Sequence, residues 1–484
     1  MNHIKLRIQQ RGVAMLLLVV TLVMGAAAVF YGLTTATPPE FERDRKTAEA
    51  LAIAKAALIG YAIGESNLTG GNRRLGNLPC PDRRDDGFAG GVTGTTCGNA
   101  AGNQQARRLG RLPWKTLGLP DLRDGDGERL WYAVSNNFKQ STPTTCTAPG
   151  QTGCLNSDAR GTITIRQKDA AGNYVVIHDG NNPDPYTPSG VIAVIFAPGA
   201  VLTRQGSVTP QSRTCSGGFC NATGTCTTNP ESNTPKCNPA NYLDTVTGIE
   251  DNASFVDVGA AGTLDGFIHG PIRDSAGQII VNDRLITITY QDLMPLLEKR
   301  VAMEILNCMR GYAVVNGGRY PWANPVAASD TNDFSNTPFG RAPGLGGSYL
   351  NNTVASGPGM AGVYSSSCAI LQGSALSTWW WNNWREHVFY GIADAYKPAS
   401  GAPAGCAAPG SCLSVNPPSA AANKEVVVLV AGKRLAGVAS NQPRSGVADK
   451  QNPANYLEGN FTWPTFTKPS VSATFNDTVV SYPP

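Results

Sequence analysis

The stretch that decides the predicted fold is QQRGVAMLLLVVTLVMGAAAVFYGL, residues 9–33. The leader before its apolar part carries Lys5, Arg7 and Arg11 and no acidic residue, and the run after Gly12 carries no charge. About twenty apolar residues are enough to cross a bilayer as one helix. Because basic residues precede the run, the positive-inside rule places the N-terminus in the cytoplasm and the rest of the chain outside.

Two simpler interpretations of this segment compete. A cleaved secretory signal has an apolar core of roughly 7–15 residues followed by a small-residue cleavage site. The alanines at 26–28 could supply that site, but the apolar stretch continues to Leu33 and is too long. A plain membrane anchor fits the hydrophobic pattern equally well.

A third interpretation comes from the local motif. Gln10, Arg11 and Gly12, followed directly by Val13 and a Leu/Val-rich run, resemble the prepilin signal of type IV pilins and type II secretion pseudopilins. In that family a prepilin peptidase cuts after the glycine and methylates the new N-terminus. The resemblance therefore implies cleavage between Gly12 and Val13, with 13–37 as a transmembrane helix that later packs in a filament core.

One position departs from the family's main pattern. Major pilins usually carry a glutamate at the fifth mature position, and this chain has Leu17 there. The glutamate is thought to pair with a neighbouring N-terminal amine inside the apolar filament core, where an unpaired charge is costly. Leu17 cannot offer that pairing, so the chain resembles the large minor subunits placed at filament tips.

The resemblance also implies partners and a location. The partners are other pilins or pseudopilins, a prepilin peptidase, an inner-membrane assembly platform and the membrane itself. The implied location is the bacterial inner membrane, as a single-pass protein with a cytoplasmic N-terminus, followed by a periplasmic or cell-surface filament. No basic run follows the leader, so nucleic-acid binding is not indicated.

Length and an internal repeat suggest how the rest is organised. A chain of 484 residues exceeds one ordinary core, and 54 glycines with 34 prolines indicate a loop-rich body. NPANYLD at 238–244 returns as NPANYLE at 452–458. We therefore predict an α+β fold in which a long N-terminal transmembrane helix is followed by two tandem pilin-like lobes, each a helix on a mainly antiparallel, disulfide-pinned sheet. The predicted parts are the leader 1–12, the helix 13–37, the first lobe 38–290 and the second lobe 291–484.

Several elements follow from periodicity. Apolar residues at helical spacing predict a helix over 40–63, and Asp292 is the predicted N-cap of a second one. Short apolar runs predict strands, among them 129–134, 190–196 and 425–431.

The twelve cysteines predict disulfides, because the chain is expected outside the cytoplasm. Pairing by proximity is the simplest arrangement, although connectivity is not deducible from sequence. It gives Cys80/Cys97, Cys146/Cys154, Cys215/Cys220, Cys226/Cys237, Cys308/Cys368 and Cys406/Cys412. Zinc is disfavoured, since no CxxC pair is present.

One acidic loop is a candidate calcium site. Asp121, Asp124, Asp126 and Glu128 surround two glycines, and carboxylates on a tight loop suit Ca²⁺. Some pseudopilins hold calcium near this place. The EF-hand spacing is absent, and the simpler interpretation is that Asp and Gly form turns.

The densest aromatic cluster is a candidate ligand patch formed by Trp379, Trp380, Trp381 and Trp384. Exposed, it would suit sugar stacking or a protein interface. In a strand, alternate tryptophans would share one face and build a core, which is the favoured interpretation.

The sequence gives little support for an enzyme. It has three histidines beyond the leader and no GxSxG, HExxH or Walker A motif. The predicted function is a non-enzymatic minor pilin or pseudopilin that acts in filament initiation, secretion or surface contact. The alternatives are a surface adhesin or carbohydrate-binding protein, and a membrane-anchored periplasmic enzyme.

Overall fold

The computed structural model describes most of the chain after residue 38. The described residues are 39–64, 75–90, 97, 108–140, 154–182, 184–215, 219–220, 226–227, 236–254, 266–326, 337–342, 383–406, 410–417, 419–438, 441–459 and 462–483. The predicted leader 1–12 and the predicted helix 13–37 lie outside these residues.

Three α-helices lie in the described part of the chain: α1, Pro39–Ile63; α2, Tyr290–Val315; and α3, Val447–Lys450. Helix α2 begins at a capping box, because Asp292 Oδ2 accepts a hydrogen bond of 2.8 Å from the Thr289 backbone N–H. Asp292 therefore occupies the third helical position, and Thr289 is the N-cap in place of the predicted Asp292.

None of the helices in the described ranges is both long enough and apolar enough to cross a membrane. Most of the regular structure there is β-sheet, and α1 carries charged residues along its length while packing one face on a sheet. These findings contradict the predicted fold class, which was built on a long N-terminal transmembrane helix. They also contradict the predicted localisation as a single-pass inner-membrane protein.

The described β-strands are short. They are β1 Leu109–Arg111, β2 Trp131–Val134, β3 Thr164–Lys168, β4 Tyr174–His178, β5 Ala193–Ala197, β6 Phe219–Cys220, β7 Cys226–Thr227, β8 Thr245–Val246, β9 Glu250–Asp251, β10 Gly266–His269, β11 Ile272–Arg273, β12 Ile279–Val281, β13 Arg284–Ile288, β14 Phe339–Arg341, β15 Val388–Ile392, β16 Leu413–Asn416, β17 Ser419–Lys424, β18 Val426–Val430, β19 Thr465–Thr467 and β20 Thr478–Tyr482.

Two four-stranded antiparallel sheets have the same plan. The first has the order β1-β2-β5-β13 and the second β14-β15-β18-β20. Each is accompanied by a three-stranded sheet with one parallel and one antiparallel pairing, β10-β3-β4 and β17-β16-β19. We call α1 with the first pair of sheets the first unit, and α2 with the second pair the second unit.

The repeated NPANYL segment forms the same turn in both units. Pro239–Asn241 and Pro453–Asn455 are short 3₁₀ helices. The side chains of Asn238 and Asn452 cap them, each accepting a 3.1 Å hydrogen bond from the backbone N–H two residues later. The equivalence of the units therefore extends to individual side chains.

One hydrophobic core joins the units. Helix α1 packs on the first large sheet, α2 packs on the second, and the two helices contact each other. Both helices and the facing sides of both large sheets contribute to a single cluster of buried residues, while the opposite face of each large sheet has its own cluster. The central strands β5 and β18 are consequently buried on both faces.

Candidate functional site

In each unit a buried arginine stacks on the tyrosine of the NPANYL turn. The Arg111 guanidinium carbon lies 4.0 Å from the centre of the Tyr242 ring, and that of Arg341 lies 4.2 Å from the Tyr456 ring. Burial lowers the pKa of both arginines, yet a guanidinium stays charged in proteins. These cation–π contacts hold the turn against its sheet and leave the rings without an open face for a ligand there.

In each unit the acid two residues after the tyrosine pairs with a buried aspartate: Asp244 with Asp283, and the half-buried Glu458 with Asp477. Asp283 Oδ2 accepts a 2.7 Å hydrogen bond from the Asp244 N–H, and Asp477 Oδ2 accepts one of 2.9 Å from the Glu458 N–H. Burial, and then the adjacent carboxyl group, raises the pKa of Asp283 and Asp477 well above the usual range. Because the acids bond to main-chain donors in both units, we interpret them as structural.

The units meet at a buried charged cluster, which we call the Asp158 seam. Asp158, from the first unit, lies 3.2 Å from His387 Nε2, 3.2 Å from Arg444 Nη1 and 3.7 Å from Arg434 Nε, all from the second unit. The side chains of Asp158, His387 and Arg444 are 4%, 2% and 1% exposed. The charges are therefore almost completely removed from water.

The electrostatics of the seam depend on this pairing. Burial alone would raise the pKa of Asp158, but Arg444 and the His387 hydrogen bond outweigh it and hold that pKa well below its usual range. Burial lowers the pKa of His387, and Asp158 opposes this only in part. A neutral His387 therefore donates Nε2–H to an ionised Asp158, and Arg444 supplies the balancing charge.

Uncharged hydrogen bonds extend the seam. Asn383 Oδ1 accepts from the Leu155 N–H at 2.8 Å, and the Asn383 carbonyl accepts from Asn156 Nδ2 at 3.1 Å. Nearby, the hydroxyl of Tyr290 donates to the Ser157 carbonyl at 2.9 Å. The loop at 155–158 is thus fixed to the second unit at several points.

The predicted calcium loop is closed by its own hydrogen bonds. Asp124 is fully buried, and its Oδ1 accepts from the N–H groups of Asp126 and Glu128 at 3.0 and 2.9 Å. Its Oδ2 accepts from the Gly199 N–H at 2.9 Å. Asp124 therefore bonds inward to the main chain.

Two other carboxylates of this loop, those of Asp121 and Asp126, make ion pairs. Asp121 Oδ2 lies 2.7 Å from Arg123 and its Oδ1 lies 2.9 Å from Arg129, while Asp126 lies 3.3 Å from Arg43. The structure does not bring the predicted ligands Asp121, Asp124, Asp126 and Glu128 together as a group of converging oxygens among the described residues. The arrangement fits the turn interpretation.

One trio with metal-like spacing lies elsewhere in the described ranges: Asp85, Cys215 and Cys237. Cys215 and Cys237 form a disulfide with Cα atoms 4.5 Å apart. Disulfide sulfurs are not the thiolates that bind metals, so this trio is not a metal centre.

The disulfides agree only partly with pairing by proximity. Cys80–Cys97 and Cys406–Cys412 are confirmed, whereas the bond from Cys215 to Cys237 contradicts the predicted Cys215/Cys220 and Cys226/Cys237 pairs. The fold brings the ends of this loop together, and β6 pairs with β7 between them. Cys154 and Cys308 are also disulfide-bonded, and their predicted partners Cys146 and Cys368 lie outside the described residues.

The tryptophan patch is described at one position. Trp384 is 1% exposed and belongs to the large core cluster, with its ring centre 6.5 Å from that of His387. It packs beside the seam and has no surface for a ligand. Trp379, Trp380 and Trp381 lie outside the described residues, as do Gly12, Val13 and Leu17.

Sequence reasoning missed the Asp158 seam. Asp158 lies in a loop without periodicity, and its partners follow more than 200 positions later. The only available signal was His387, one of three histidines beyond the leader.

Comparisons with family models, with curated proteins and with solved structures find no match to this chain.

Proposed function

We propose that this chain is a non-enzymatic minor subunit of a type IV pilus or type II secretion pseudopilus, placed at the filament tip. The observation that carries the proposal is the prepilin-like motif, in which Gly12 precedes Val13 and an uncharged apolar run. Its partners would be a prepilin peptidase and other pilin-like subunits, and its work would be filament initiation, secretion or surface contact.

The body supports a role in association. The charged groups at the centre of the molecule bond to one another across the Asp158 seam and join the units into one head. A tip subunit transmits force between a filament and whatever it touches, and a head joined through a common core suits that task.

The size of the body supports the role of a minor subunit rather than a major one. A compact body of this length has a radius of gyration of roughly 22 Å. Heads that large would crowd one another if every subunit of a thin filament carried one. Leu17 agrees with this, since it replaces the carboxylate that major subunits offer to a neighbour.

Replacing Gly12 with valine tests the proposal. We expect Gly12→Val to stay at full length and to be absent from sheared filaments, because the peptidase requires the glycine before the cut. Processing is read from the mass of the chain, and incorporation from immunoblots of filament fractions.

A matched control is available at Gly60. A Cβ at Gly60 meets nothing within 4 Å, so Gly60→Ala should fold, be processed and enter filaments normally. Normal cleavage and filament incorporation of Gly12→Val would overturn the proposed function.

A further inference from the structure

A pocket of about 500 Å³ lies beside the C-terminal half of α2 and the edge of the second large sheet. We call it the tyrosine pocket, because Tyr320, Tyr396 and Tyr482 line it. The ring centres of Tyr320 and Tyr396 are 6.2 Å apart. Its volume is within the usual range for small-molecule sites.

Polar groups of both signs line the same pocket. Glu425 Oε2 accepts a 2.9 Å hydrogen bond from the Tyr320 hydroxyl. The guanidinium carbon of Arg310 lies 3.9 Å from the centre of the Tyr482 ring. Arg310 and Asn307 are exposed, and neither donates a hydrogen bond to another described residue. Tyr320 is 1% exposed, so the accessible aromatic surface of the pocket comes from the half-buried Tyr396 and Tyr482. The pocket combines this surface with a carboxylate acceptor and unused donors.

The equivalent positions of the first unit are apolar. In the second unit the Tyr320 N–H donates a hydrogen bond to the Tyr396 carbonyl at 3.0 Å. In the first unit the Leu78 N–H donates the equivalent bond to the Phe138 carbonyl at 2.8 Å. Tyr320 and Tyr396 thus correspond to Leu78 and Phe138, both completely buried.

The other two pocket residues, Glu425 and Tyr482, also correspond to apolar residues of the first unit. The Glu425 N–H donates to the Tyr482 carbonyl at 2.7 Å, and the Ile192 N–H donates to the Ile288 carbonyl at 2.8 Å. Ile192 and Ile288 belong to the core cluster to which α2 contributes. Four positions that carry apolar core residues in the first unit therefore carry three tyrosines and one glutamate in the second unit. Partial exposure would account for polar groups at Glu425, Tyr396 and Tyr482, but not at Tyr320, which is 1% exposed and donates its hydroxyl to Glu425.

From these observations we propose that the tyrosine pocket binds a neutral sugar, namely a hexose or N-acetylhexosamine unit. The C–H face of such a ring would pack on the half-buried Tyr396 ring, because Tyr320 is buried and Arg310 already covers one face of Tyr482. The sugar hydroxyls are both donors and acceptors. Glu425 would accept from the sugar, while Arg310 and Asn307 would donate to it. A cationic ligand would meet Arg310 and an anionic ligand would meet Glu425, so a neutral ligand fits best.

The site extends the proposed function without depending on it. A sugar pocket on a filament tip would contact a glycan surface, and the same chemistry would also bind a free sugar. Binding by the purified full chain is read separately from filament incorporation, so the two proposals can fail independently.

The test is saturation-transfer NMR on the full chain with glucose, galactose, mannose, N-acetylglucosamine and N-acetylgalactosamine. We expect at least one of them to bind with a dissociation constant on the order of 1 mM, as befits a small ligand with few contacts. Arg310→Ala and Tyr396→Ala should each weaken that binding about tenfold or more. Tyr174→Ala, a half-buried tyrosine of β4 in the first unit, is the matched control and should bind normally.

Charged sugars and immobilised sugars complete the experiment. Glucosamine and N-acetylneuraminic acid should bind more weakly than the best neutral sugar. Retention on beads carrying that sugar, with elution by the free sugar, would favour a surface glycan as the source, and binding of the free sugar alone would favour a soluble one. The proposal is overturned if no neutral sugar binds, if a charged sugar binds best, or if Trp380→Ala abolishes binding while Tyr396→Ala leaves it intact.

Discussion

Replacing Asp158 with asparagine should lower the free energy of unfolding by about 3 kcal/mol or more. The substitution keeps the size of the side chain and removes its charge, so Arg444 is left 1% exposed without its ion-pair partner. Breaking a buried ion pair by removing one member typically costs about 3–5 kcal/mol. The measurement is denaturant unfolding followed by circular dichroism, with the disulfides intact.

An exposed ion pair supplies the control. Asp394 pairs with Lys397 at 2.7 Å, and their side chains are 52% and 41% exposed. Asp394→Asn should change the free energy of unfolding by less than about 1 kcal/mol, because exposed pairs contribute little. Equal effects of the two substitutions would show that the Asp158 seam does not stabilise the contact between the units.

The second large effect is a pH dependence centred on Glu298. This residue is buried in α2 with its Oε1 3.4 Å from the Tyr290 hydroxyl, and burial raises its pKa to about 8. An acid whose pKa is higher in the folded state binds a proton that the unfolded chain has released. Its stabilising contribution is complete below the unfolded pKa, near 4.5, and is lost as the pH rises toward 8.

Glu298→Gln keeps the shape and hydrogen-bonding capacity of the side chain but cannot ionise. Relative to wild type, the variant should therefore gain stability as the pH rises from 5 to 8, by about 1.4 kcal/mol per pH unit at most. Asp82 and Asp244, whose pKa values burial raises to about 6, are present in both proteins and cancel in the difference.

Glu304→Gln controls for the change of residue type on the same helix. Glu304 lies 2.7 Å from Arg300, and its side chain is 23% exposed. Unfolding curves at pH 5, 6, 7 and 8 for all three proteins give the comparison. If the curves of wild type and Glu298→Gln run parallel, Glu298 is not held protonated in the folded chain.

Local patterns in the sequence predicted many of the helices and strands that the structure describes. The strands predicted at 190–196 and 425–431 are observed as β5 and β18, because buried β-branched runs have few alternatives. The predicted helix at 40–63 is observed as α1. The NPANYL repeat corresponds to equivalent turns because the same Asn side chain caps each.

Contacts between residues far apart in the chain could not be predicted from local sequence patterns. The Cys215–Cys237 bond depends on where the fold brings two loop ends, and distance along the chain does not determine that. The Asp158 seam depends on a contact between units, which no periodic pattern reports. The acidic loop offered metal-like residue types, but Arg129, Arg123 and backbone amides bond to its carboxylates instead.

The predicted fold class failed for a related reason. The prediction makes one apolar run organise the whole fold, whereas α1 and α2 pack against sheets and none of the described helices could span a membrane. What organises the described chain is the core shared by α1, α2 and the two large sheets.

The most direct test of the proposed filament role is mass spectrometry of the N-terminus of the chain isolated from its native cells. The proposal predicts that Val13 is the first residue and that its amino group is methylated. An intact Met1, or a first residue beyond Ala28, would contradict it.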